Sequence, residues 1–371
     1  MKYAFFIIAF ALIFCMMGYV LMRGWQALPA KHNLRLIYSC LFSGLFIILL
    51  AGLFLQNTFA PAVIKAMTFA GYTFLIIAIY LFISFLLVDI VRLSNHFFHF
   101  APVGMQSFRL WAMAGSLGII AIALIIGNYK FNHPEVVQLN LTTEMPLQNK
   151  EVRIVAASDI HLDNSIDKKK LKEYVKLINA QSPDIVFLLG DVTDMSVSTL
   201  MEQNMQVELQ SIHAPLGVYA ISGNHEYYSG KPQNIAKYLR SSGITVLHDS
   251  VCLVDNSFYL VGRDDKTNLK RKPLAELVMG LDEKLPKILL DHQPFNLQEA
   301  EQNGIDLQLS GHTHNGQFFP GNLIVNAIFE DGYGYLRKGR TQYYVSSGLG
   351  IWGPQYRIGT QSELVVINLK Y

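Results

Sequence analysis

The sequence predicts a two-part chain: four membrane-crossing helices, then an α/β domain of mixed sheets, two of them packed face to face and flanked by helices. Three observations predict this. Four long apolar runs occupy the first third: Tyr3–Leu21, Leu36–Leu55, Ala66–Val88 and Leu110–Gly127. Charge is divided sharply: residues 1–130 carry eight Lys/Arg and one acid, Asp89, whereas residues 131–371 carry 22 Lys/Arg and 27 Asp/Glu. Beyond residue 150, short apolar strand-like runs alternate with segments of helical period.

Each apolar run is close to the ~20 residues that cross a bilayer, and none has a charge inside it. The first is not read as a cleaved signal peptide. Lys2 gives it a basic start, but Met22-Arg23-Gly24-Trp25 lacks the small residues of a cleavage site. Loop charges set the expected orientation. Arg23, Lys31, Arg35, Arg92 and Arg109 fall on one side, against Lys2, Lys65 and Lys130 on the other. The richer side is cytoplasmic, so the N-terminus and the following domain are expected outside the cytoplasm. Trp25 and Trp111 sit near run ends, where amphipathic rings belong. A transporter is disfavoured because no ionisable residue marks a path through the runs.

Residues 131–150, with Pro134 and Pro146, read as a linker and a first edge strand, and 151–371 as the soluble domain. That domain is net acidic, which argues against general nucleic-acid binding. Cys15, Cys40 and Cys252 form no disulfide framework. Asn140-Leu141-Thr142 matches a glycosylation sequon, of weight only in a eukaryote.

Val152–Ala157 reads as a strand, and Lys168–Ala180 as a helix with Leu171, Tyr174, Val175 and Ile178 on one face. Asp184–Leu189 is apolar throughout, as a strand buried on both faces requires. A looser helix follows at Met201–Leu209, then a strand at Gly217–Ile221 and a helix at Lys231–Arg240. Phe258–Val261 is a strand and Leu269–Met279 a helix. Lys287–Leu290, Leu307–Leu309, Gln342–Ser346 and Leu364–Leu369 complete the strands.

Five clusters follow such strands: Asp159-Ile160-His161, Gly190-Asp191, Gly223-Asn224-His225-Glu226, Asp291-His292 and Gly311-His312-Thr313-His314. Carboxyl ends of strands are where open α/β sheets build their sites. Two Asp, one Asn, several His and no Cys suit a pair of borderline-hard divalent ions. Strand alternation predicts Asp159 and His161 on one side, and His312 and His314 likewise. Asp191, with two carboxylate oxygens, is suited to bridge two ions, and Asn224 adds a neutral carbonyl. The glycines preceding Asp191, Asn224 and His312 allow the chain to turn under the metals. Paired ions clamp the attacking and leaving oxygens of an in-line displacement, and a water shared between them loses its proton and attacks phosphorus. His225, beside a ligand and followed by Glu226, is the expected general acid, held by a carboxylate. Arg263, Asn315 and Arg357 are candidate substrate contacts. His133, His213 and His248 read as surface or core residues, and His96 and His99 as interfacial.

The five blocks, in this order, resemble the calcineurin-like metallophosphoesterase superfamily over residues 150–371. The resemblance implies a four-layer α/β/β/α sandwich. It assigns one metal to Asp159, His161, Asp191 and His314 and a second to Asp191, Asn224, His292 and His312, with His225 as the catalytic histidine. Glu226 stands where Asp is commoner. Asp291-His292-Gln293-Pro294, Gly316-Gln317, and the tail Gly348-Leu349-Gly350, Arg357-Ile358-Gly359 and Glu363 resemble the membrane-anchored, YkuE/YaeI-like branch. The expected function is a membrane-bound phosphoesterase with two divalent ions (Mn, Fe or Zn), acting on a phosphomonoester or phosphodiester, lipid- or envelope-linked. The alternatives are a UDP-2,3-diacylglucosamine-type lipid-precursor pyrophosphatase, which calls for a cytoplasmic site, and a membrane receptor or scaffold with a vestigial metal site.

Overall fold

A computed structural model describes residues 2–55, 58–99, 105–147, 151–194 and 196–371. Residues 148–150, the end of the expected linker, lie outside the described residues. The chain forms two compact units, Met1–Ile126 and Gly127–Tyr371.

The first unit is built on α1 (Lys2–Ala27), α2 (His32–Phe54), α3 (Pro61–Phe98) and α4 (Met105–Asn132), whose last turns belong to the second. All four are long and apolar enough to cross a membrane. Met17, Val20, Phe42, Leu49, Phe74 and Leu81 pack between the helices. Leu12, Leu41, Ile47, Ile119 and Ile125 point outward and are exposed. A helix apolar on all sides suits surroundings that are themselves apolar. The helices outrun the apolar runs that announce them. Arg23, Asp89, Arg92 and Arg109 therefore lie inside the helices, toward their ends, rather than in connecting loops.

The second unit opens with β1 (Glu135–Thr142), β2 (Glu151–Ala157), α5 (Lys168–Asn179) and β3 (Ile185–Leu188). Next come α6 (Val197–Glu202), α7 (Gln206–Gln210), β4 (Val218–Ala220), α8 (Asn224–Tyr228), α9 (Pro232–Ser241) and β5 (Thr245–Val246). The second half holds β6 (Ser250–Val254), β7 (Phe258–Gly262), α10 (Leu274–Val278), β8 (Lys287–Leu290), α11 (Gln298–Gln302) and β9 (Leu307–Ser310). It ends with α12 (Gly321–Ile328), β10 (Gly334–Lys338), β11 (Thr341–Val345) and β12 (Glu363–Lys370).

Two six-stranded sheets result, ordered β1-β12-β2-β3-β4-β5 and β10-β11-β9-β8-β7-β6. Strand alternation layers them. In β2, Val155 and Ala157 join Leu171, Tyr174, Val175 and Ile178 of α5 in one core, while Val152, Ile154 and Ala156 face the other way. That second face meets Phe258, Leu260, Ile288, Leu290 and Leu309 of the other sheet. Val261 and Leu289 point beyond it to Leu274, Leu297 and Ala300. The order of layers is helix, sheet, sheet, helix, as the resemblance implies. The expected edge strand is β1, paired parallel with the last strand, Glu135 opposite Glu363.

Two expected helices are shorter. Met201–Leu209 splits into α6 and α7 at Asn204, whose left-handed φ of 50° ends the first piece. Of Leu269–Met279 only Leu274–Val278 is helical, because Pro273 begins the helix and cannot sit inside it.

Candidate metal centre

β2, β3 and β4 run parallel in one sheet, and β8 and β9 in the other. The residues just past their carboxyl ends converge. Among the described residues, side-chain atoms able to ligate a metal lie within 4.8 Å of one another in three groups: Asp159, His161 and His314; His161, Asp191 and His225; and Asp191, His292 and His312. Asp159, His161, Asp191, Asn224 and His292 are buried, while His225, His312 and His314 are half-buried and form the open side.

The candidate ligands face inward for a reason other than strand alternation. Asp159, His161, Asp191, His312 and His314 have φ of 53°, 53°, 50°, 71° and 50°. All five have left the strand for the left-handed region, which costs a non-glycine residue energy and persists where the surrounding fold enforces it. The glycines also differ from expectation. Gly190 has φ of 90° and needs its freedom, but Gly223 and Gly311 are required for space. A Cβ on Gly223 would strike Asp191, and one on Gly311 would strike Ser158 and Asp159.

Asp191 divides its oxygens. Oδ1 accepts the backbone N–H of His225 at 2.8 Å. Oδ2 lies 3.2 Å from Nε2 of His292 and 3.8 Å from Nε2 of His161. The oxygen left free of backbone hydrogen bonds is thus the one that faces the two imidazoles. His292 donates from Nδ1 to the carbonyl of Leu189 at 2.7 Å, which leaves the Nε2 lone pair aimed at Asp191. Nε2 of His314 is 3.2 Å from Nε2 of His161 and 3.4 Å from Oδ1 of Asp159. The Asn224 Oδ1 and the His292 Nε2 are buried with no hydrogen-bond partner. Acceptors aimed at acceptors in a buried site call for a cation between them. The donor set fits divalent metals.

Electrostatics agree. Burial opposes ionisation of Asp159 and Asp191, yet the imidazoles around them hold both carboxyls below the usual range. Burial pushes His312 down to about 4 and His314 to about 3, so both are neutral and ready to ligate. His292 is buried too, which lowers its pKa, but the charge of Asp191 more than reverses this. The gap between those two residues attracts positive charge.

The expected pairing of His225 with Glu226 is not found. Glu226 is buried and accepts the backbone N–H groups of Asp191 (3.0 Å), Thr193 (3.1 Å) and Gly223 (2.7 Å), fastening two ligand loops together. The carboxylate on His225 is Asp194, whose Oδ1 is 2.7 Å from Nδ1 and whose carbonyl is 3.1 Å away. Burial lowers the His225 pKa, but the hydrogen bond to Asp194 and the charges of Asp191 and Asp194 raise it to about 9. Asp194 also faces Nδ1 of His161 at 3.3 Å. Sequence reasoning missed this residue, though an acid three positions after Asp191 was there to see.

Two candidate substrate contacts are committed elsewhere. Arg263 is buried against Asp291 (3.3 Å) and Glu299 (2.9 Å). Asp291 also pairs with Arg271 and is not among the ligand groups. Arg357 has no exposed surface and donates to the carbonyls of His314 (3.0 Å), Gly348 (3.0 Å) and Gly350 (2.7 Å), bracing the last metal-ligand loop. Asn315 is half-buried, with φ of 48°, and its backbone N–H donates to the Thr313 hydroxyl at 3.2 Å. The rings of Tyr228 and Trp352, both exposed, lie 5.4 Å and 6.0 Å from His225 and form the rim.

Residues 152–316 match the family model described as calcineurin-like phosphoesterase. A metallophosphoesterase of Campylobacter jejuni is 33% identical over 69% of this chain and 69% of its own length. One of Helicobacter pylori is 29% identical over 98% of this chain and 97% of its own length. A transmembrane protein with metallophosphoesterase domain from Danio rerio is 33% identical over 72% of this chain and 64% of its own.

Proposed function

The chain belongs to the calcineurin-like phosphoesterase family, and from that premise we propose that it is a membrane-anchored, two-metal phosphoesterase that cleaves a phosphomonoester or phosphodiester by direct attack of water. The inferred substrate is lipid- or envelope-linked, since a soluble substrate gives no reason for four apolar helices.

One observation carries the reading: Oδ2 of Asp191 faces His292 on one side and His161 on the other. Asp159, His161, Asp191 and His314 would hold one ion, and Asp191, Asn224, His292 and His312 the second. Such ions, Mn, Fe or Zn, supply Lewis acidity toward phosphoryl oxygens and an acidified water. His225 gives its Nε2 proton to the leaving oxygen. Asp194 keeps the imidazole turned toward the site and stabilises its charged form. Glu226 acts on geometry alone, holding the Asp191 and Gly223 turns in register.

The test is hydrolysis by the purified full chain, stripped of metal and reloaded with Mn²⁺, Fe²⁺ or Zn²⁺, on a mono-, a di- and a pyrophosphate ester. Metal-dependent cleavage of a mono- or diester is expected. No cleavage with any ion would defeat the reading, and cleavage of the pyrophosphate alone would favour a lipid-precursor pyrophosphatase.

A further inference from the structure

The helix ends of the first unit contain a second polar centre. Asp89 of α3 receives the Tyr19 hydroxyl at 2.7 Å, Arg23 of α1 at 2.6 Å and Arg92 of its own helix at 2.8 Å. Arg109 of α4 lines the same recess with these three. Beside it opens a cavity of about 630 Å³, bounded by Arg23, Asp89, Arg92, Leu93, His96 and His99. Three separate helices thus bring guanidinium groups to one point.

Their charges do not balance. Asp89 is the only acid in the first 130 residues, so three arginines share one carboxylate of their own unit. The Nε atoms of Arg23, Arg92 and Arg109 are buried without a hydrogen-bond partner. Uncompensated cations at the edge of an apolar slab are costly and ordinarily mark a ligand. Guanidinium forks match the tetrahedral oxygens of phosphate better than they match chloride. Leu93 and the exposed Ile90, Phe97 and Phe98 put apolar surface beside the charge.

We propose that the recess and the cavity beside it together bind a phosphate group, with Arg23 and Arg92, which line both, and Arg109, which lines the recess, as its donors, and Asp89 as the residue that spaces the first two. With the helices in a bilayer, arginines toward the helix ends sit at headgroup depth, where basic pockets between helices take anionic lipids. The phosphate is that of an anionic lipid or free in solution. This site is independent of the reading of the metal centre.

The test uses the full chain in neutral detergent, metal-free so that the other site does not compete. Its thermal midpoint is followed with short-chain phosphatidylglycerol, with phosphatidylcholine, and with inorganic phosphate against chloride at equal ionic strength. Phosphatidylglycerol should raise the midpoint and phosphatidylcholine should not. Arg109→Gln, which breaks no pair with Asp89, should weaken the apparent affinity ~10-fold or more, the loss of a charge-assisted bond. Arg92→Lys, which keeps charge but not the fork, should weaken it less. A response to inorganic phosphate that Arg109→Gln also weakens assigns the site to the free ion; a response to lipid alone assigns it to the headgroup. Equal effects of the two lipids with no response to inorganic phosphate, or unchanged binding of both phosphatidylglycerol and phosphate by Arg109→Gln and Arg92→Lys, overturn the proposal.

Discussion

The Asp194 carboxylate lies 2.7 Å from Nδ1 of His225, although 31 positions separate the two in sequence and Glu226 is the nearer acid along the chain. Asp194→Asn should leave the fold intact and lower turnover ~10–100-fold, the usual effect of removing an outer partner of a site histidine. Because Asp194 also faces His161, the assay belongs at saturating metal, where a purely metal-binding defect would be rescued.

His225→Ala should separate binding from chemistry. Metal content, read by elemental analysis, should persist while turnover falls ~10²–10⁴-fold. The deficit should shrink on esters with good leaving groups, which need little protonation. An equal deficit on nitrophenyl and alkyl esters would count against a proton donor.

Asp191→Asn should lose both ions and activity together, since one oxygen faces the histidines of both groups. A variant that keeps two metals per chain and near-normal turnover would show that the ions are not bridged there.

Glu226→Gln tests structure rather than chemistry. One amide oxygen replaces a carboxylate that accepts three backbone N–H groups. The expected cost is ~1–3 kcal/mol of stability, seen as a lower melting temperature, with the folded fraction still active. Full stability with a rate loss as deep as that of His225→Ala would place Glu226 in the proton transfer instead.

A reporter active in only one compartment, fused after Tyr371, should place the C-terminal unit outside the cytoplasm. The motivation is the excess of Arg and Lys between the first and second apolar runs and between the third and fourth. A cytoplasmic signal would reverse the topology and advance the lipid-precursor pyrophosphatase.

What could be read from the chain depended on the range of the signal. Short motifs after apolar runs single out Asp159, His161, Asp191, Asn224, His292, His312 and His314 as candidate ligands, because strand, turn and candidate lie within a few residues. How those side chains come to face one another is not legible locally. The left-handed φ at Asp159 and His314 is imposed by the folded surroundings, not by residue type. Partner choice is likewise non-local: Arg263 has the composition of a phosphate contact until Asp291 and Glu299 are seen against it, and Arg357 until the carbonyls of Gly348 and Gly350 are. The four long apolar helices are legible from hydropathy, but hydropathy reports only their apolar middles. The helix ends carrying Arg23, Asp89, Arg92 and Arg109 read as loops.

Asp159, His161, Asp191 and Asn224 come from the sheet built on β2, β3 and β4, while His292, His312 and His314 come from the other. Each inferred ion would draw on both. A metal seated there would be a rivet between the two halves of the domain, joining positions as far apart as Asp159 and His314. A nascent chain lacking β9 has neither complete ion site, so loading would follow assembly and then resist its reversal. Chelation should accordingly loosen the seam between the sheets before it loosens either sheet, and hydrogen exchange along β3 and β8 would register the order.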